Sequence, residues 1–364
     1  ADGDQKLHEQ RIAAGQFRTL NLDEFGRYIP SPVNFPHGLR TLADRCHENG
    51  IKFGLHMMRG LPLGAVERNT PVKDTPYHAR DIYDPDGACS WCKYWVAAKA
   101  DHPGTLAFYK SEVEYLTEEL EVDFIKLDDV VEHPDHATLF GEAVASVPRP
   151  VLLSLSPGGE CCRENWETLE KYGNMVRITS DAWDHDETNL QKLQRWYEFQ
   201  DLSSDSLRAD LDMLPLGALQ VTTDFRQSRL TPRGKRVMMT IMALSGSPLI
   251  FGGDLPRTPQ EDFDFATHPA VLECNAWCIP GRRVSFQHHI DIRKSPDRRD
   301  SSHGWIGVFS TSELPRHIVL SPSHLGFSVL PPLRELWSDY EVAPTADGNA
   351  EFYLPPYDAA FLKY

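Results

Sequence analysis

Residues 122–128, Val122-Asp-Phe-Ile-Lys-Leu-Asp128, decide the fold. The run is short, apolar and rich in β-formers, and it closes on the carboxylates Asp128 and Asp129. Such a run reads as a buried strand whose C-terminal end carries polar groups. Upstream, Tyr109, Val113, Leu116 and Leu120 mark an amphipathic helix. Before it, Leu39, Leu42, Ala43 and Cys46 share one helical face, Asn49-Gly50 supplies a C-cap, and Ile51–His56 reads as a strand. Between these units lies a Pro- and Gly-rich stretch, about 59–104, whose Tyr77, Tyr83, Trp91, Tyr94 and Trp95 favour order.

The unit recurs downstream. Strands are predicted at 151–155, 175–179, 212–214 and 248–251, with helices built on Trp166, Leu169 and Tyr172, then on Leu190, Leu193 and Tyr197. Thr231-Pro232 opens a further helix that runs through Leu244. Strands separated by helices imply a parallel sheet with right-handed crossovers. Strand ends at His56, Asp128, Ser154 and Asp181 favour an α/β barrel of the (β/α)8 TIM type, whose active site gathers at the C-terminal ends of its strands. Six core strands are expected, because Ala1–Phe17 is polar and no strand pattern precedes Phe35. The first two barrel strands are therefore expected to be missing. Texture changes after Gly281: Ser295–Ser302 reads as a charged loop, and short β-rich pieces follow at 305–309, 317–320, 333–337, 351–354 and 360–362. Domains are expected at 1–280, a barrel, and 281–364, a C-terminal antiparallel β-sandwich.

The chain has 364 residues and a net charge of −16 from 37 basic and 53 acidic side chains. That balance argues against a nucleic-acid partner, which requires clustered Lys and Arg. No apolar run approaches the roughly 18–20 residues of a membrane span. Seven cysteines leave at least one unpaired, and the spacing Cys89-Ser-Trp-Cys92 reads as a loop rather than a metal or redox site. No cofactor is implied. The chain starts at Ala1, which reads as a processed protein or a piece of one, and it carries no Asn-x-Ser/Thr sequon. Secreted, periplasmic and cytoplasmic locations all stay open, as does the oligomeric state.

Gly-rich phosphate loops, Gly-x-Ser-x-Gly elbows and His-Glu-x-x-His helices are absent from the sequence. Acidic residues at strand ends remain: Asp128 and Asp129, then Asp181 and Asp184. Two carboxylates facing each other across a barrel mouth serve as nucleophile and general acid for cleaving an acetal. The same residues also suit capping a helix or solvating a loop, and spacing alone does not separate these readings.

Five motifs in order carry a resemblance. Phe35-Pro-His-Gly-Leu-Arg-Thr-Leu-Ala43 leading into Gly50–His56, Asp123–Asp128, Arg177-Ile-Thr-Ser-Asp181, Asp212-Met-Leu-Pro-Leu-Gly217 and Thr231–Leu255 resemble the α-galactosidases (melibiases) of glycoside hydrolase family 27. The likeness spans about 22–280 and is looser beyond. It implies a retaining α-glycosidase acting on terminal α-linked galactose in oligosaccharides or glycans, with Asp128 as nucleophile and Asp181 as acid/base. It further implies that His56, Arg59, Lys126, Ser154, Arg177 and Asp212 bind substrate. Where the family has Cys-Glu-Trp, this chain has Ser154-Leu-Ser-Pro-Gly158, and Val130 stands where many members have a cysteine. These departures imply a divergent subgroup with its own sugar preference. An α-N-acetylgalactosaminidase or an isomaltose-releasing dextranase of the same clan is the nearest enzymatic alternative. The missing strands would remove an Asp pair that grips galactose, which implies weak activity or a chain that at most binds sugar.

Overall fold

The computed structural model describes residues 21–32, 34–87, 89, 92, 94–157, 162–220 and 225–364. The expectations for Ala1–Phe17, Trp91 and Gly158 fall outside these residues. Two compact units divide the chain, Ala1–Arg177 and Ile178–Tyr364.

The first unit alternates helix and strand. Helix α1 (Gly38–Glu48) buries Leu39 and Ala43 and stops at Asn49, with Gly50 in the left-handed region at φ 70°. Strand β1 (Gly54–Met58) follows. It starts three residues later than predicted, because the Phe53 amide donates to the Asp123 carboxylate instead of joining the ladder. Helix α2 (Pro103–Glu114) opens with Pro at its first turn and His102 Nδ1 accepting the Gly104 amide, and one turn of π-helix at Tyr115–Glu119 extends it. Strand β2 (Phe124–Asp128), helix α3 (Pro134–Ala145), strand β3 (Leu152–Leu155), helix α4 (Trp166–Glu170) and strand β4 (Met175–Arg177) complete the unit. The strands are parallel in the order β1-β2-β3-β4. Their outward residues Ile125, Leu127, Leu153, Leu155 and Val176 are buried under the helices. Among the described residues no strand pairs with the free edge of β1, and residues 21–34 contribute only a Leu22–Tyr28 bridge.

The second unit holds helix α5 (Asp186–Phe199) and strand β5 (Arg208–Asp210), whose Asp210 carbonyl accepts the Ile178 amide. Pairing was predicted at 212–214. Asp212 instead adopts φ 70° with its amide on the Asp210 carboxylate, and Leu214 makes a single parallel bridge to Phe251. Helix α6 (Pro232–Ser245) begins where Thr231 accepts the Gly234 amide and ends at left-handed Gly246. After helix α7 (Pro269–Trp277) come β6 (Arg282–Gln287), β7 (Ile290–Pro296), β8 (Gly304–Ser310), β9 (Arg316–Leu320), β10 (Leu333–Glu335), β11 (Tyr340–Val342), β12 (Ala350–Leu354) and β13 (Ala359–Lys363). They form two antiparallel sheets, ordered β6-β7-β8-β13-β10-β11 and β9-β12. Ile306, Val308, Ile318, Leu320, Leu354 and Leu362 fill a shared apolar core. The architecture is a TIM-type parallel barrel sheet joined to a C-terminal antiparallel β domain. Among the described residues no helix is long and apolar enough to cross a membrane.

Candidate active site

Register fixes which side chains share the inner face of the first unit's sheet. His56 pairs with Lys126, Lys126 with Ser154 and Ser154 with Met175, making one layer. Because side chains alternate, the next layer toward the strand C-termini holds Met58, Asp128, Ser156 and Arg177. Five of the residues expected from sequence thus face one side at adjacent levels: His56, Lys126, Asp128, Ser154 and Arg177. Ser154 is fully buried and Arg177 nearly so, while His56 is half exposed.

Asp128 is the carboxylate of these two layers. Its Oδ2 lies 3.2 Å from His56 Nε2, and its Oδ1 accepts the Asp129 amide at 3.0 Å. Burial raises its pKa, but the His56 bond, the Lys126 charge and the Asp129 amide outweigh that and hold it below the ordinary carboxylate range. Asp128 is therefore an anion at neutral pH, as a nucleophile must be.

Arg59 takes a different place from the one its charge suggests. Its guanidinium is buried, donating to the Asp129 carboxylate at 2.8 and 3.1 Å, to the Asp129 carbonyl at 2.8 Å and to the Gly87 carbonyl at 3.1 Å. Its amide donates to the Asp128 carbonyl at 3.0 Å. Asp129 sits in the left-handed region at φ 59°, which the arginine fork helps to hold. Sequence reasoning had not singled out the Arg59–Asp129 clamp as a unit; the Asp128-Asp129 pair was its one visible sign.

A cavity of about 410 Å³ runs along the free edge of β1, lined among others by Tyr28, Leu39, His56, Met58, Trp95 and Leu120. Tyr28 stacks on Trp95 with ring centroids 5.1 Å apart, and Cys89 packs into the same cluster. Within the 59–104 stretch, Trp95 supplies the aromatic part of the wall beside His56.

In the second unit the acidic residues separate by environment. Asp181 is exposed. Asp184 is fully buried and gripped by both Arg226 nitrogens at 2.5 and 2.9 Å, with the Arg229 amide at 2.7 Å. Burial raises the Asp184 carboxyl, yet these donors pull it down to about 2. It is a structural anion, and of the two acids Asp181 and Asp184 only Asp181 faces solvent. Asp212 is buried, and its Oδ2 accepts the Ala182 amide at 2.6 Å, so it holds the turn that carries Asp181.

No family model matches the chain. Individual proteins do. It is 25% identical over 288 residues to mouse α-N-acetylgalactosaminidase, a match covering 75% of this chain and 59% of that protein. With the α-galactosidase of Cyamopsis tetragonoloba it shares 21% identity over 287 residues, 76% of this chain and 58% of that protein. A solved β-L-arabinopyranosidase of glycoside hydrolase family 27 from Geobacillus stearothermophilus superposes with TM-score 0.89 at 29% identity, covering 95% of this chain and 82% of that one.

The chain is α-galactosidase-like and similar to enzymes of glycoside hydrolase family 27.

These relatives of the α-galactosidase-like chain are glycoside hydrolases of the α-galactosidase type. It spans less than two thirds of the length of the mouse and Cyamopsis proteins.

Proposed function

We propose that this chain belongs to a retaining α-glycosidase that removes terminal α-linked galactose from oligosaccharides or glycans. The reading rests chiefly on Asp128, an ionised carboxylate at the C-terminal end of a barrel strand, held by His56 and the Asp129 amide beside Lys126. Asp128 attacks the anomeric carbon and the glycosidic C–O bond breaks, giving a covalent glycosyl-enzyme. Asp181 protonates the departing oxygen, then takes a proton from the water that opens the ester. Carboxyl groups about 5–5.5 Å apart suit that double displacement. Lys126, Ser154, Arg177 and His56 are assigned to the sugar hydroxyls, Arg59 and Asp212 to supporting the segments that carry the two acids. The catalytic domain is placed at 1–280 and the β domain at 281–364.

A second glycone deserves a direct assay. β-L-arabinopyranose has the ring stereochemistry of α-D-galactopyranose without the hydroxymethyl group, and the 29% identity to an arabinopyranosidase over 95% of this chain brings it into the comparison. Aryl α-galactoside, α-N-acetylgalactosaminide and β-L-arabinopyranoside should be compared, with NMR of the first-formed sugar anomer. Retention with activity lost in Asp128→Asn supports the proposal. An inverted first product, or turnover unchanged in Asp128→Asn, refutes it.

A further inference from the structure

We infer that Tyr109 and His136, carried on helices α2 and α3 rather than on the strands, form a positioning couple for Asp128. The inference rests on the reading of Asp128 as nucleophile. Tyr109 on α2 is fully buried, and its hydroxyl lies 2.8 Å from His136 Nδ1 on α3. The same oxygen accepts the Gly60 amide at 2.9 Å. His136 also bonds the Ala98 backbone in the sense that favours the ring as donor, so Nε2 carries the imidazole hydrogen and Nδ1 accepts the tyrosine hydrogen. Burial, with the Arg59 and His133 charges adding to it and Asp84 opposing, lowers His136 to about 4, so the acceptor stays neutral across the physiological range.

Gly60 is where this couple acts. At φ 94° it presses on the Val96 carbonyl so closely that a Cβ would sit 2.1 Å from that oxygen. Its amide is fixed by the Tyr109 hydroxyl, and the preceding residue is Arg59. Arg59 bonds the Asp128 carbonyl through its amide and the Asp129 carboxylate through its fork. Asp129 in turn gives its amide to Asp128 Oδ1. A buried phenylalanine would fill the core as well as Tyr109 does. A hydroxyl buried without partners costs free energy, so its placement between two bonded groups marks the hydroxyl as the functional part.

The experiment pairs Tyr109→Phe with Val113→Ala, a buried position one turn along α2 with no part in the chain of bonds. In Tyr109→Phe, kcat on an aryl α-galactoside should fall about tenfold with KM within about twofold, the size of one lost hydrogen bond. The Asp128 carboxyl titration, followed by ¹³C NMR with His56, Lys126 and Asp129 unchanged around it, should move up by about half a unit or more. Val113→Ala should show neither change despite lost stability. An Asp128 titration unmoved in Tyr109→Phe overturns the inference, whether or not the chain turns over substrate. Absence of turnover in the parent chain refutes the proposed activity alone, because the titration still decides this point. If Tyr109→Phe does not fold, imidazole ¹⁵N shifts of the parent decide: an Nε2–H His136 neutral down to about pH 4 supports the couple, and an Nδ1–H tautomer overturns it.

Discussion

Replacing Arg59 by methionine tests the clamp that frames Asp128, the proposed nucleophile. Methionine keeps much of the side-chain length and apolar volume but removes the cation and every donor. Four contacts vanish: two to the Asp129 carboxylate, one to the Asp129 carbonyl and one to the Gly87 carbonyl. The Asp129 side chain is only 16% exposed, so its charge is stranded in a poorly hydrated place. Breaking one side of a buried pair costs about 3–5 kcal/mol, and the remaining exposure of Asp129 puts this case near the lower end, about 3 kcal/mol. Adding Asp129→Asn removes the stranded charge and should recover about 1–2 kcal/mol, the characteristic difference between a broken and a deleted pair. Urea unfolding followed by tryptophan fluorescence reads both values, with kcat measured on the same preparations. A loss below about 1 kcal/mol for Arg59→Met, or a double variant no better than the single, would refute the clamp as described.

Other consequences follow from single observations. Gly60→Ala forces a Cβ to 2.1 Å from the Val96 carbonyl at a left-handed φ, so the variant should lose more than about 3 kcal/mol, read as soluble yield and melting temperature. Asp184, depressed to about 2 when folded, contributes stability that is fully present above its unfolded value near 4 and lost as pH falls toward 2. Asp184→Asn should flatten that acid limb in unfolding measurements between pH 5 and pH 2 while lowering stability at neutral pH. Asp181→Asn should retain more activity on aryl glycosides with good leaving groups than on those with poor ones, and equal losses across a leaving-group series contradict its role as acid.

Parallel strands were legible wherever an apolar run of β-formers ended in a polar residue, as at 124–128 and 152–155. Their limits failed where a side chain replaced a ladder bond. The Asp123 carboxylate takes the Phe53 amide before β1, and left-handed Asp212 interrupts pairing after β5. The β6–β7 hairpin escaped notice because its inward positions are charged: Arg293 is fully buried against Asp291, which also receives Arg283. A hydrophobic pattern cannot show an ion pair turned inside. Register puts His56, Lys126, Asp128, Ser154 and Arg177, all named from motifs, on one face of the sheet, and their binding roles rest on the proposal. Arg59 was not readable in the same way, since sequence displays a charge but not which carboxylate takes it. Tyr109 was legible only as an apolar mark of its helix and His136 not at all, because only packing brings their polar atoms together.

The most direct test of the account is covalent trapping of the nucleophile. A 2-deoxy-2-fluoro-α-galactosyl fluoride slows hydrolysis of a glycosyl-enzyme more than its formation, and peptide mass spectrometry then locates the ester. The account predicts one sugar per chain, esterified at Asp128 and absent from Asp128→Asn. A sugar ester on any other carboxylate of an active chain would contradict it.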